Sequence, residues 1–82
     1  MKIKPLRDDL VEYLARRTIL KQWEKQKCLF ETNPRHPGLR TELLEPKNLR
    51  VYSFRITRKY RAIFIYTDND EVEIVDINDH YQ

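Results

Sequence analysis

Cysteine occurs once in these 82 residues, glycine once and histidine twice. A lone Cys28 excludes an internal disulfide and suits a reducing compartment. A single Gly38 and the lack of any low-complexity run argue against long flexible segments. No stretch approaches the roughly 18 apolar residues that a bilayer crossing requires. The opening Met1-Lys2-Ile3-Lys4-Pro5-Leu6-Arg7 lacks the apolar centre of a secretory signal. Two distant histidines and one cysteine do not make a metal-ligand cluster. No glycine loop for phosphates and no nucleophile elbow is present. The expectation is one cytoplasmic domain, residues 1–82, with no membrane association, no metal and no cofactor.

What is present is charge. Charged residues make up 35% of the chain and hydrophobic ones 40%, which predicts a thin core under a charged surface. At this size a hydrophobic core alone barely sustains a fold, so a binding partner adds stability. The net charge of +3 is modest, but its distribution is not. Eight cations lie between Arg35 and Arg61 (Arg35, Arg40, Lys47, Arg50, Arg55, Arg58, Lys59, Arg61) against only Glu42 and Glu45. No Lys or Arg follows, while Asp68, Asp70, Glu71, Glu73, Asp76 and Asp79 do. A localised basic stripe of this kind suits a polyanion; a plain solvated basic face is the alternative.

Lys2 to Lys4 reads as a short strand ended by Pro5. Leu6, Leu10, Tyr13 and Leu14 form one helical stripe, with Asp8 and Asp9 suited to its first turn. Thr18 is placed to N-cap a second helix running to about Thr32 and stopped by Asn33-Pro34. Its inward face is read as Ile19, Leu20, Trp23 and Phe30, with Cys28 roughly opposite and without chemistry. Asn33 to Gly38 is a loop, and Leu39 to Leu44 alternates as a strand. Glu45-Pro46-Lys47-Asn48 is a turn. Antiparallel strands follow at about 50–57, 60–67 and 71–77, the last two joined through Asp68-Asn69-Asp70. The fold class is α+β: an N-terminal helical hairpin packed on one face of a curved antiparallel sheet.

Strand parity sorts the faces. Tyr52, Phe54 and Ile56 share one side with Tyr60, Ala62, Phe64 and Tyr66, and these large aromatics should face the helices. Arg55 and Arg61 then lie on the open side, directly opposite one another if the hairpin loop is Thr57-Arg58-Lys59. Two adjacent guanidinium groups repel unless an anion bridges them, so the pairing suggests a phosphate site. The structural alternative for Arg61 is an ion pair with Asp76 or Asp79.

Asn33-Pro34-Arg35-His36-Pro37-Gly38-Leu39-Arg40, Val51-Tyr52-Ser53-Phe54-Arg55-Ile56, Tyr60-Arg61-Ala62-Ile63-Phe64 and Ile74-Val75-Asp76-Ile77-Asn78-Asp79-His80 resemble the RelE/ParE superfamily of type II toxin–antitoxin toxins. The Arg-then-Arg spacing and terminal His80-Tyr81 are similar to the YoeB-like and RelE-type mRNA interferases. The resemblance implies ribosome-dependent, metal-free endoribonuclease cleavage of mRNA and inhibition of translation. It further implies a cognate antitoxin as partner, with operator DNA contacted only through the antitoxin complex. By position, it places Arg55 and Arg61 on the phosphate and His80 and Tyr81 as the C-terminal catalytic pair. One departure is visible: YoeB-like enzymes carry a glutamate just ahead of the strand read here from Leu39, where this chain has Pro37 beside His36. Glu42 and Glu45 are read as out of register with it.

Metal-free RNA cleavage needs a base for the 2′-OH, an acid for the leaving 5′ oxygen, and cations for the phosphorane charge. His80 is the acid/base candidate because imidazole titrates near neutrality; an exposed tail residue is its bland reading. Tyr81 positions substrate by hydrogen bonding or stacking. Arg58, Lys59, Arg50, Arg40 and His36 are read as RNA-contacting, although an Arg-His-Pro-Gly loop is more often simply a turn. Replacing Arg61 by Ala is expected to abolish toxicity without unfolding the domain. Two rival functions stay open: a ParE-like non-enzymatic inhibitor of DNA gyrase, and a catalytically degenerate antitoxin-binding module.

Overall fold

The computed structural model describes residues 1–80. The elements run β1 (Lys2–Ile3), α1 (Asp8–Arg16), α2 (Leu20–Thr32), β2 (Glu42–Leu43), β3 (Tyr52–Arg55), β4 (Arg61–Asp68) and β5 (Glu71–Asn78). Short 3-10 turns at Pro37–Leu39 and Lys47–Leu49 flank β2. The architecture is α+β, with both helices on one face of a five-stranded sheet ordered β1-β5-β4-β3-β2. The sheet is mixed rather than wholly antiparallel: β1 pairs in parallel with β5. No hairpin dictates the direction of β1, because its partner is the last strand in the chain.

Helix α1 forms as its stripe predicts, with Leu10 and Leu14 buried, Asp8 and Asp9 at its positive end and Arg16 in the last turn. Its end corrects the role given to Thr18. The Thr18 N–H donates to the Ala15 carbonyl at 3.1 Å and the Ile19 N–H to the Leu14 carbonyl at 3.0 Å. That is a Schellman closure, with buried Leu14 and Ile19 as its apolar pair. Thr18 therefore terminates α1 with φ at 56°, and its hydroxyl donates to the Arg17 carbonyl rather than capping α2. A β-branched residue in this left-handed position is strained by about 1–3 kcal/mol. Thr18→Gly is expected to raise stability by about 1 kcal/mol, because the relief exceeds glycine's entropic cost. Urea unfolding of the two chains checks it.

Helix α2 buries Trp23, Gln26 and Phe30, together with Ile19 just before it. Leu20, assigned inward from sequence, is 40% exposed. Cys28 is exposed, as its phase predicts. The aromatic centre is Phe30 stacked on Phe54 at 5.0 Å and edge-on to Phe64 at 5.2 Å, with Trp23 stacked on Phe54 at 6.0 Å. Phe54 and Phe64 face the helices as strand parity requires.

The strand read over Leu39–Leu44 shrinks to Glu42–Leu43. Leu39 is instead fully buried in the Pro37–Leu39 turn, which Arg40 closes in a left-handed conformation at φ 47°. The β4–β5 turn is also tighter than Asp68–Asp70, since Asp68 pairs with Glu71. The margin beyond β5 is fastened by side chains. Ile3 donates its N–H to Glu31 Oε2 at 3.0 Å, and Arg7, clamped on the Asp9 carboxylate, donates to the Val75 carbonyl at 3.2 Å.

Candidate functional site

The β3–β4 loop is Thr57-Arg58-Lys59. The Thr57 hydroxyl accepts from the Lys59 and Tyr60 N–H groups at 3.1 and 3.0 Å, and Ile56 donates to the Tyr60 carbonyl at 2.9 Å. This loop length sets the register, and Arg55 pairs directly with Arg61. The next strand adds Asn78 opposite Arg61. The side away from the helices thus carries Arg55, Arg61 and Asn78 across three strands. A second row, Glu42, Ser53, Ile63 and Asp76, lies beside it.

That side is not open at Arg61. The residue is 6% exposed, its Nε donates to the Ser53 hydroxyl at 3.0 Å, and its Nη2 donates to the Arg40 carbonyl. Burial lowers its pKa; Glu42 opposes that shift, and Arg55 and Arg40 add to it. The suggested ion pair with Asp76 or Asp79 does not form among the described residues: Asp76 accepts from Asn78 at 2.7 Å and Asp79 approaches Lys59 at 4.0 Å. Arg55 differs from Arg61 in kind. Its Nε is sealed from solvent and has no hydrogen-bond partner among the described residues. A buried donor left empty is costly unless something arrives to accept from it.

Gln26 holds this arrangement from behind. It is 8% exposed, and its side-chain amide donates to the Arg55 carbonyl at 2.8 Å and the Gly38 carbonyl at 3.4 Å. One helical side chain therefore fixes both the β3 end and the loop that receives Arg61. Sequence reading missed it, although positions 19, 23, 26 and 30 share one helical phase. Gln26→Leu leaves two carbonyls short of a donor and is expected to cost about 2–4 kcal/mol. Thermal melting checks this: a domain of this size loses about 4–8 °C per kcal/mol.

Glu42, set aside in the sequence as out of register, stands close to this arrangement. Strand β2 places it opposite Ser53, whose hydroxyl holds Arg61, so the residue lies in the row beside the arginine pair. The left-handed Arg40 and the brevity of β2 hid that register. Pro37 begins a 3-10 turn and offers no acid.

The remaining candidates separate. Arg58 and Lys59 are exposed at the hairpin tip, with Lys59 also 5.3 Å from the Tyr60 ring centre. Arg50 closes the turn before β3 with φ at 55° and is exposed. His36 does not join the arginines: its Nδ1 accepts the Gly38 N–H at 2.9 Å, and it lines a cleft with Arg35, Arg40, Tyr52 and Tyr66. His80 lies two residues past Asn78. Its side chain is 79% exposed, its Nε2 sits 4.0 Å from Asp79, and its N–H donates to the Asn78 side chain at 3.2 Å. Tyr81 lies outside the described residues.

No protein-family model matches the chain, and no curated protein matches its sequence. Solved structures do match. A YoeB/ParE toxin from Agrobacterium tumefaciens superposes with a TM-score of 0.71 at 19% identity, over 99% of this chain and 100% of that one. A chain of the heterotetrameric YoeB-YefM toxin-antitoxin complex from Staphylococcus aureus gives 0.67 at 19% identity, over 98% and 94%. The class defined by these likenesses is a RelE-like α+β fold spanning essentially the whole chain. Within that class, the solved structures it resembles are a YoeB/ParE toxin and a chain of a YoeB-YefM toxin-antitoxin complex.

Proposed function

We propose that this protein is the toxin of a toxin–antitoxin pair and that it cleaves mRNA without a metal. The observation that carries this reading is the cross-strand Arg55–Arg61 pair, in which the Arg55 Nε has no acceptor among the described residues. Paired guanidinium groups with a spare donor fit a phosphate's several oxygens.

In this reading the scissile phosphate docks on Arg55 and Arg61. Glu42 takes the proton from the 2′-OH, whose oxygen attacks the phosphorus. The two arginines stabilise the charge that builds on the non-bridging oxygens. The 5′ oxygen leaves with a proton from His80, giving a 2′,3′-cyclic phosphate and a 5′-OH end. Ser53 and the Arg40 carbonyl keep Arg61 oriented, which spares the transition state that ordering cost. Tyr81 positions the substrate, as the sequence resemblance implies. Arg58 and Lys59 meet the RNA backbone of the ribosome-bound message. The YefM partner in the Staphylococcus aureus complex supports a cognate antitoxin as this chain's own partner.

Induction in a bacterial host lacking the antitoxin, with primer extension on an abundant message, tests the reading. Discrete cuts inside coding regions are the expected result. Growth arrest with intact mRNA and an SOS response overturns it in favour of gyrase poisoning. Normal growth overturns it in favour of a binding module.

A further inference from the structure

The cleft lined by His36, Pro37 and Arg40 includes Tyr52 and Tyr66 from the helix-facing side of the sheet, whereas the arginine pair lies on the opposite side. Its volume of about 630 Å³ lies within the roughly 300–1,000 Å³ typical of small-ligand sites. Three features give it a chemistry. Its aromatic part is Tyr52, stacked on Phe64 at 5.6 Å, and Tyr66, standing edge-on to Tyr52 at 5.2 Å and an interplanar angle of 88°. Tyr66 packs edge-on against these two rings, lines the cleft and exposes 46% of its surface. Its polar part is cationic or donor-bearing: Arg35, Arg40 and His36 line it, and no Asp or Glu does. Because His36 Nδ1 accepts the Gly38 N–H, the neutral ring carries its proton on Nε2 as a donor.

We infer that this cleft is a nucleotide subsite, in which a single-stranded RNA base stacks on Tyr66 and its phosphate meets Arg35 and Arg40. The inference rests on the RNA-cleaving reading above and deepens it. An aromatic platform beside guanidinium groups is the sequence-tolerant way proteins hold unpaired nucleotides. Tyr52 and Arg55 lie three residues apart on β3, so they face opposite sides of the sheet and the cleft is separate from the arginine pair. Arg40 joins them physically, lining the cleft while its carbonyl holds Arg61. The occupant is a nucleotide other than the scissile one, and the cleft contributes substrate binding rather than bond breaking. An acidic protein segment suits the cations but leaves the exposed ring face without a matching π surface.

Nuclear magnetic resonance on the 15N-labelled full chain tests this with two probes, adenosine 5′-monophosphate and inorganic phosphate. Saturable shifts of the Arg35, His36 and Tyr66 amides are expected with the nucleotide and not with phosphate alone at equal concentration. Tyr66→Ala should weaken nucleotide binding by about tenfold or more, while Tyr66→Phe should keep it. Arg35→Ala, at an exposed site that leaves the core untouched, should weaken it as well. Equal shifts from inorganic phosphate, shifts confined to the Arg55 and Arg61 surroundings, or unchanged affinity in both Tyr66→Ala and Arg35→Ala overturn the proposal. Nucleotide in the cleft with uncut mRNA in cells supports the subsite and removes the cleavage reading. Cut mRNA with no nucleotide in the cleft does the reverse.

Discussion

Glu42→Gln is expected to leave the induced host's mRNA uncut while the protein stays folded. The change keeps side-chain size and removes only the ability to hold a proton from the 2′-OH, a role worth roughly 10²–10⁴-fold in rate. Glu42 is exposed on the two-residue β2, so stability should move by no more than about 0.5 kcal/mol. A fall in cleavage without a fall in melting temperature therefore isolates chemistry from folding. Undiminished cutting assigns the base to another group, and His80 is then the remaining acid/base residue near the row.

The second large effect is at Arg61, where activity and folding cannot be separated by alanine. The guanidinium is 6% exposed and donates in two directions, to Ser53 and to the Arg40 carbonyl. Arg61→Ala removes both donations and leaves a void, a loss expected to reach about 3–5 kcal/mol, which unfolds much of a marginal domain. The expectation drawn from sequence, that alanine would silence an intact protein, is corrected by that burial. Arg61→Lys keeps the charge, yet one ammonium cannot reproduce a planar fork. It is expected to cost about 1–3 kcal/mol in urea unfolding and at least about 10²-fold in mRNA cleavage. An Arg61→Ala chain as stable as wild type would show that the Ser53 and Arg40 contacts carry no weight.

The parts of the site that depend on counting residues along a strand were legible in the sequence. A three-residue loop between Ile56 and Tyr60 fixes Arg55 against Arg61, and alternation then assigns Phe54 and Phe64 to the core. The parts that depend on breaks in regular structure were not. Thr18 and Arg40 adopt left-handed conformations normally held by glycine, so neither announces the turn it makes. The first hid that Thr18 closes α1 rather than capping α2, and the second hid where β2 begins, and with it the place of Glu42. Gln26 was passed over for a different reason: a glutamine on an inward phase reads as a surface residue until its two carbonyl partners are seen. Arg61 was placed on the correct side of the sheet, but sequence does not show that a loop folds back to enclose it.

The two margins of the sheet bear on how the protein behaves at high concentration. Strands β1 and β2 are two residues each, too short to template pairing with another molecule. The outward N–H of Ile3 is occupied by Glu31, and the Val75 carbonyl, past the end of β1, is occupied by Arg7. Glu73 and Asp76 add like charge along the same rim. A chain with exposed edge carbonyls and amides would stack edge to edge into oligomers and fibrils. Here both margins are short and two groups of the β1–β5 margin are engaged by the protein's own side chains, so crowding should leave it dispersed while its cationic surface remains free to associate.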